Sequence, residues 1–148
     1  MRLKKYTDYA LRVLIYTGSL NKGELASIKE ISTVFNISQN HLSKIVYQLG
    51  KLGIIETVRG RNGGIRLRKA PESINIGEVI RDMEEDFTLI DDFDENTSEH
   101  VIMPSYQLRN ALDQALLSFF TELDRYTLED LLAEELAKLQ GQDLNEMA

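Results

Sequence analysis

Two serine caps close together in the chain constrain its fold more than any other feature. "SIKE" at Ser27–Glu30 is a capping box: the Ser27 hydroxyl can accept from the Glu30 amide while the Glu30 carboxylate reaches back to Ser27. Ile28, Ile31 and Val34 predict a short helix ending near Phe35. Asn36-Ile37-Ser38 is then too short for anything but a turn, and Ser38 is a second N-cap. Beyond it Leu42, Ile45, Val46, Leu49 and Leu52 recur at helical spacing. Gln39, Asn40, Ser43, Lys44, Tyr47, Gln48 and Lys51 fill the positions between them. One face is apolar, the other polar, and Gly53 supplies the stop.

The flanks extend this pair of helices. Upstream, Thr7 is the expected N-cap of a first helix, with Asp8 favourable in its first turn. Leu11, Leu14 and Ile15 would form its apolar face, and Gly18 or Asn21–Gly23 would end it. Downstream, "IIETVRG" and "GIRLRK" predict two strands joined by "GRNGG", a turn in which Gly and Asn tolerate positive φ. Helix, short helix, turn, polar-faced helix and hairpin is the order of a winged helix-turn-helix domain, so the expected class is mainly α with a small β-hairpin.

After Pro71, Asn75 caps a helix carrying Ile76, Val79, Ile80 and Met83. Residues 84–104 read as an acidic loop, and beyond Pro104 lies the longest helical pattern. Leu108, Leu112, Ala115, Phe119 and Leu123 recur there, with Ala111, Leu116 and Phe120 widening the stripe. So broad a stripe asks for more than one partner, and packing against a second copy as a homodimer is expected. Thr127 caps a last helix whose Leu128, Leu131, Leu132, Leu136 and Leu139 face inward. The organisation expected is a DNA-binding domain over 1–83, a sensor-type loop over 84–106, dimerisation helices over 107–140 and a tail over 141–148.

Charge follows the same division. Residues 1–70 hold 13 Lys/Arg against 4 Asp/Glu (+9) and residues 71–148 hold 4 against 20 (−16), which together give the formal −7. A basic half in an acidic chain is the footprint of a surface that meets a polyanion. No run of 18 apolar residues occurs, which gives no support to a membrane-spanning helix or a signal peptide and leads to the expectation of a cytoplasmic protein with no membrane partner. The sequence contains no cysteine, which excludes disulfides, thiolate nucleophiles and iron–sulfur clusters held by cysteine.

Double-stranded DNA is the partner these features call for. Gln39 and Asn40 can bond bidentately to adenine and Lys44 can reach guanine or phosphate; Ser38, His41 and Ser43 share the same end of the helix. Arg59 and Arg61, set among Gly60, Asn62 and Gly63, fit a minor groove, where narrow geometry concentrates negative potential. Two copies would meet half-sites of a roughly palindromic operator. An adaptor that has lost DNA binding is the alternative, against which the basic hairpin argues. No nucleophile–base motif or phosphate loop supports an enzyme.

"MRLKKYTDYALRVLIY", "ISQNHLSKIVYQLGKLGIIETVRGRNGGIRL", "INIGEVIRDMEEDF" and "LDRYTLEDLL" resemble the IscR, NsrR and CymR family of bacterial winged-helix regulators, closest to its nitric-oxide-sensitive repressor branch. The resemblance covers nearly the whole chain and implies a homodimeric repressor joined through its long C-terminal helix. Iron–sulfur members carry three cysteines in the loop before that helix; matching on Phe93 and "VIMP" places Asp92, His100 and Tyr106 at those positions. Asp8 matches the position from which nitric-oxide-responsive members can supply a carboxylate ligand. The expectation is therefore no conventional iron–sulfur cluster and no cofactor. Three sensing alternatives stay open: a mononuclear zinc, manganese or ferric ion on these oxygen and nitrogen donors, haem on His100, or a loop that binds a small ligand or nothing.

Overall fold

The structure, a computed structural model, describes residues 1–87, 89, 106–135 and 138. Three helices come first: α1 (Lys5–Gly18), α2 (Ile28–Phe35) and α3 (Gln39–Lys51). An antiparallel hairpin follows, β1 (Ile55–Val58) with β2 (Gly64–Leu67), and a 3₁₀ turn at Pro71–Ser73 leads into α4 (Ile76–Glu84). The chain continues as α5 (Tyr106–Leu123) and a helical segment over 128–135, called α6 here.

Local chemistry starts three of these helices. Ser27 Oγ accepts from the Glu30 amide at 3.0 Å and Glu30 Oε2 accepts from the Ser27 amide at 3.2 Å. Ser38 Oγ accepts from the His41 amide and Asn75 Oδ1 from the Glu78 amide. Each such cap stabilises its helix by about 1 kcal/mol.

Left-handed residues end two of them. At the end of α3, Gly53 lies at φ 72°; its N–H donates to the Gly50 carbonyl and that of Ile54 to the Leu49 carbonyl, each at 3.0 Å. This is a Schellman motif. Asn36 does the same for α2 at φ 53°, with Ile37 N–H donating to the Ser32 carbonyl and Ser32 Oγ donating to the Ile37 carbonyl.

The core forms where the apolar faces meet. Ala10, Val13 and Leu14 of α1 join Ile31 of α2, Leu42, Ile45 and Leu49 of α3, Ile55 and Ile65 of the hairpin, and Val79, Ile80 and Met83 of α4, all buried. Leu128 of α6 is fully buried in the same cluster. Strand β2 has a second neighbour as well, because Ile65 and Ala26 exchange backbone hydrogen bonds at 2.8 and 3.0 Å. The hairpin root is thereby fixed to the segment just before α2.

Two local expectations are corrected. Helix α1 begins at Lys5, not at a Thr7 cap. Thr7 is fully buried and donates its hydroxyl to Glu84 Oε1 at 2.6 Å, and the same oxygen accepts the Lys4 amide at 2.7 Å. A carboxylate from α4 thus receives the N-terminus of α1, which turns the buried face to Thr7, Ala10, Val13, Leu14 and Thr17 and leaves Leu11 and Ile15 half-buried. In the hairpin turn Gly60 alone takes positive φ, at 118°, and Asn62 does not. Leu136, Leu139, most of the 84–104 loop and the 141–148 tail lie outside the described residues.

Candidate nucleic-acid interface

Helix α3 buries Leu42, Ile45, Val46 and Leu49, so helical periodicity forces Gln39, Asn40, Ser43, Lys44 and Tyr47 outward, and all five are exposed. His41 is exposed too, its ring 6.5 Å from that of Tyr9 on α1. Two groups already have work inside the helix: Ser38 Oγ serves as the cap, and Ser43 Oγ donates to the Gln39 carbonyl at 2.8 Å. The side chains of Gln39, Asn40 and Lys44 have no hydrogen bond or ion pair among the described residues, which leaves their full donor and acceptor capacity for an outside partner.

The hairpin divides its arginines in a similar way. Glu56 and Arg66 face each other across the ladder and form an ion pair at 2.6 Å. Arg66 is therefore partnered within the hairpin. Arg59, Arg61 and Asn62 stand exposed at the tip, with half-buried Gly63 donating its N–H to the Gly60 carbonyl at 3.0 Å; neither Arg59 nor Arg61 has an ion pair among the described residues. Glycine is required at the tip's base, where a Cβ on Gly64 would come within 2.7 Å of the Ala26 carbonyl oxygen. The rigid root and the charged tip are thus one unit with α3, although no hydrogen bond or ion pair links the tip to the α3 side chains.

Sequence reasoning left Tyr47 out of the site. It is 70% exposed and lies on the outward stripe with Ser43 and Lys44, with the Lys51 ammonium 5.7 Å from its ring centroid. Its signal was present, since a large ring at a non-core position of a polar helix face asks for a partner. Lys22, Arg68 and Lys69, with the paired Arg66 and with Glu24, line a groove of about 420 Å³ between the α1–α2 connection and β2.

Of the candidate sensor side chains, Asp8 is the one that falls among the described residues. Asp8 is ion-paired with Arg12 at 3.0 Å. Asp92 and His100 lie outside the described residues, as does the side chain of Tyr106. Among the described residues no three His, Cys, Asp or Glu side chains form a group able to hold a metal ion.

A helix-turn-helix with an arginine-tipped wing and a polar outward helix defines a DNA-binding module. The family model described as "Rrf2: Iron-dependent Transcriptional regulator" matches residues 3–134, and the chain belongs to this Rrf2 family. It is a DNA-binding transcriptional regulator. It is 53% identical to the HTH-type transcriptional regulator NsrR of Oceanobacillus iheyensis, over 95% of this chain and 97% of that one. It is 54% identical to that of Geobacillus kaustophilus, over 95% of each. The crystal structure of oxidized Staphylococcus aureus CymR superposes with a TM-score of 0.73 at 25% identity, covering 89% of this chain and 96% of that one. The family description names iron, but with no cysteine in the chain and Asp8 held by Arg12, the donor set does not fit an iron–sulfur cluster held by thiolates.

Proposed function

We propose that the protein is a homodimeric repressor, confined to the cytoplasm, that reads a palindromic operator without a cysteine-held iron–sulfur cluster and acts by binding, not by catalysis. Residues 1–83 form the DNA-binding unit, 84–106 the sensor-type loop and 107–140 the dimerisation helices. Each subunit lays α3 in a major groove, where Gln39 and Asn40 read base edges and Lys44 meets a guanine or a phosphate. Arg59 and Arg61 enter the adjacent minor groove. The likeness to relatives named as HTH-type transcriptional regulators supports this reading.

Dimerisation follows from the way α5 divides its apolar stripe. Phe120 is buried and Leu116, Phe119 and Leu123 pack partly on the head, whereas Leu108 is 49% exposed and Ala111 and Ala115 are exposed on the next sector of the same helix. A second α5 covers that sector.

The observation that carries the proposal is the pairing pattern of the hairpin: Arg66 is consumed by Glu56, while Arg59 and Arg61 remain charged and unpaired among the described residues. Binding to the DNA upstream of the protein's own gene, measured across a salt series, tests it. The wild type should show a steep salt dependence, and Arg59→Ala/Arg61→Ala should lose roughly 10- to 100-fold in affinity with a shallower salt slope, by about 0.9 for each phosphate contact removed. Unchanged binding in the double variant would overturn the wing assignment.

A further inference from the structure

The two ends of α4 are fastened to different parts of the molecule, and the fastening at its N-terminal end is unusually complete. Asn75 works in two directions: its Oδ1 caps α4 through the Glu78 amide, and its Nδ2 donates to the Asp124 carbonyl just past α5, at 2.7 Å. The backbone repeats the join, with Ile76 N–H donating to the Tyr126 carbonyl at 3.0 Å and Leu128 N–H to the Ile74 carbonyl at 2.9 Å. One turn further along α4, Arg81 meets Asp124 as a two-pronged fork, Nη1 to Oδ1 at 2.8 Å and Nη2 to Oδ2 at 2.7 Å. Its guanidinium also lies 4.3 Å from the ring centroid of Phe120, which is itself edge-on to Phe87 at 4.6 Å. Gly77 is buried beneath the Asp124 carboxylate, which would run into any Cβ placed there.

Stability alone does not account for this arrangement. The fork's two side chains are 39% and 40% exposed, and exposed ion pairs contribute little to folding. A planar fork that also stacks on a ring fixes direction as well as distance, a geometry that a lysine or a lone hydrogen bond cannot reproduce. In the same last turn of α4 as Arg81, Glu84 accepts from Lys4 and Thr7 of the α1 start, while the Lys4 ammonium donates to the Glu84 carbonyl. Helix α4, part of the reading head, thus joins the start of α1 to the end of the long helix.

We infer that the Arg81–Asp124 fork, with Asn75 and Phe120, is a spacing determinant: it sets the angle of each reading head on α5 and so the half-site separation the dimer accepts. The inference rests on the homodimeric reading above. Arg81 and Asp124 are positioning residues that act through α4 and α5, since α3 packs on α4, with Gln48 Nε2 donating to the Asp82 carbonyl at 3.5 Å, and turns with it. Loosening the fork lets the heads reach more than one separation and lowers affinity for the correct one.

The test uses the full-length protein and a duplex selected by the wild type from a random library, together with the same duplex carrying two extra central base pairs and a half-site duplex. Dimerisation is followed by sedimentation and folding by thermal unfolding. In Arg81→Gln and in Asp124→Asn, affinity for the intact duplex should fall on the order of tenfold. Binding to the lengthened duplex should rise toward that of the intact one, while half-site binding, the dimer constant and the unfolding midpoint should stay as in the wild type. Arg81→Lys, which keeps charge without fork or stack, should fall between. Preserved spacing preference in both variants, or loss of the dimer or of the fold in either, overturns the inference. A wild type that is monomeric removes the dimeric reading and this inference together, whereas a dimer indifferent to spacing removes this inference alone; both are read before any variant is made.

Discussion

Helices α3 and α5 each turn one face into the shared core and another to solvent, but the outward faces are opposites. That of α3 carries Gln39, Asn40, Ser43, Lys44 and Tyr47, while that of α5, beside polar positions such as Asn110 and Gln114, has an apolar sector of Leu108, Ala111 and Ala115. A polar face with uncommitted donors suits base edges and phosphates, whose hydrogen-bonding and charge it can match. An apolar sector gains only by removing water from another apolar surface. The same amphipathic logic that builds the head therefore sorts its two outer helices toward different partners.

Breaking the α5 side of this contrast should have the largest effect. Ala111→Glu/Ala115→Glu adds charge at positions exposed in one subunit, so the fold should survive while the dimer fails. An uncompensated charge buried at an interface costs about 3–5 kcal/mol, which predicts a rise of more than about a hundredfold in the dimer dissociation constant, measured by sedimentation. On α3, Gln39→Ala and Asn40→Ala should each remove about 1–3 kcal/mol of discrimination against wrong bases and leave non-specific binding unchanged. Competition binding against random duplex checks this. Lys44→Ala should be milder, weakening specific and non-specific DNA alike if its contact is a phosphate, with the salt slope reduced by about 0.9. Ser38→Ala should lower unfolding stability by about 1 kcal/mol through loss of the α3 cap, with its effect on DNA following from a frayed first turn.

The smallest effect concerns the joint between the two regions. Arg81, through its hydrogen bonds and then its charge, holds the Asp124 carboxyl below the usual carboxylate range. A group lowered in the folded state stabilises above its unfolded pKa and loses that contribution as pH falls through the folded value. The fork should thus be indifferent to pH near neutrality and release only under distinctly acid conditions. In Arg81→Gln, the Asp124 titration followed by NMR should move back up.

Those elements whose cause is local were legible in the sequence. The Ser27–Glu30 box, the Ser38 and Asn75 caps and the α3 core ladder depend on residues within a turn or two of each other, and each stands where residue chemistry put it. The start of α1 was not legible, because Glu84, far along the chain, receives Lys4 and Thr7. Nor was the division of labour among the hairpin arginines, since the Glu56–Arg66 partnership depends on strand register and not on composition. The Arg81–Asp124 fork was hidden for the same reason: its partners meet only once α5 has folded back against α4. Of the proposed binding surface, the exposure of Gln39, Asn40, Lys44, Arg59 and Arg61 could be read from pattern, whereas Tyr47 looked like one more polar position until its ring stood in solvent.

The turn between α2 and α3 carries an implication for how relatives of this protein can diverge. Asn36 in its left-handed conformation and Ser38 as cap leave a single residue between them, and each residue added to or deleted from the run would rotate α3 by about 100°. Leu42 and Ile45 would swing into water, and the reading residues inward. Insertions and deletions should therefore be purged from 36–38, which makes the length of this turn a mark of a working reader in any lineage descended from this fold.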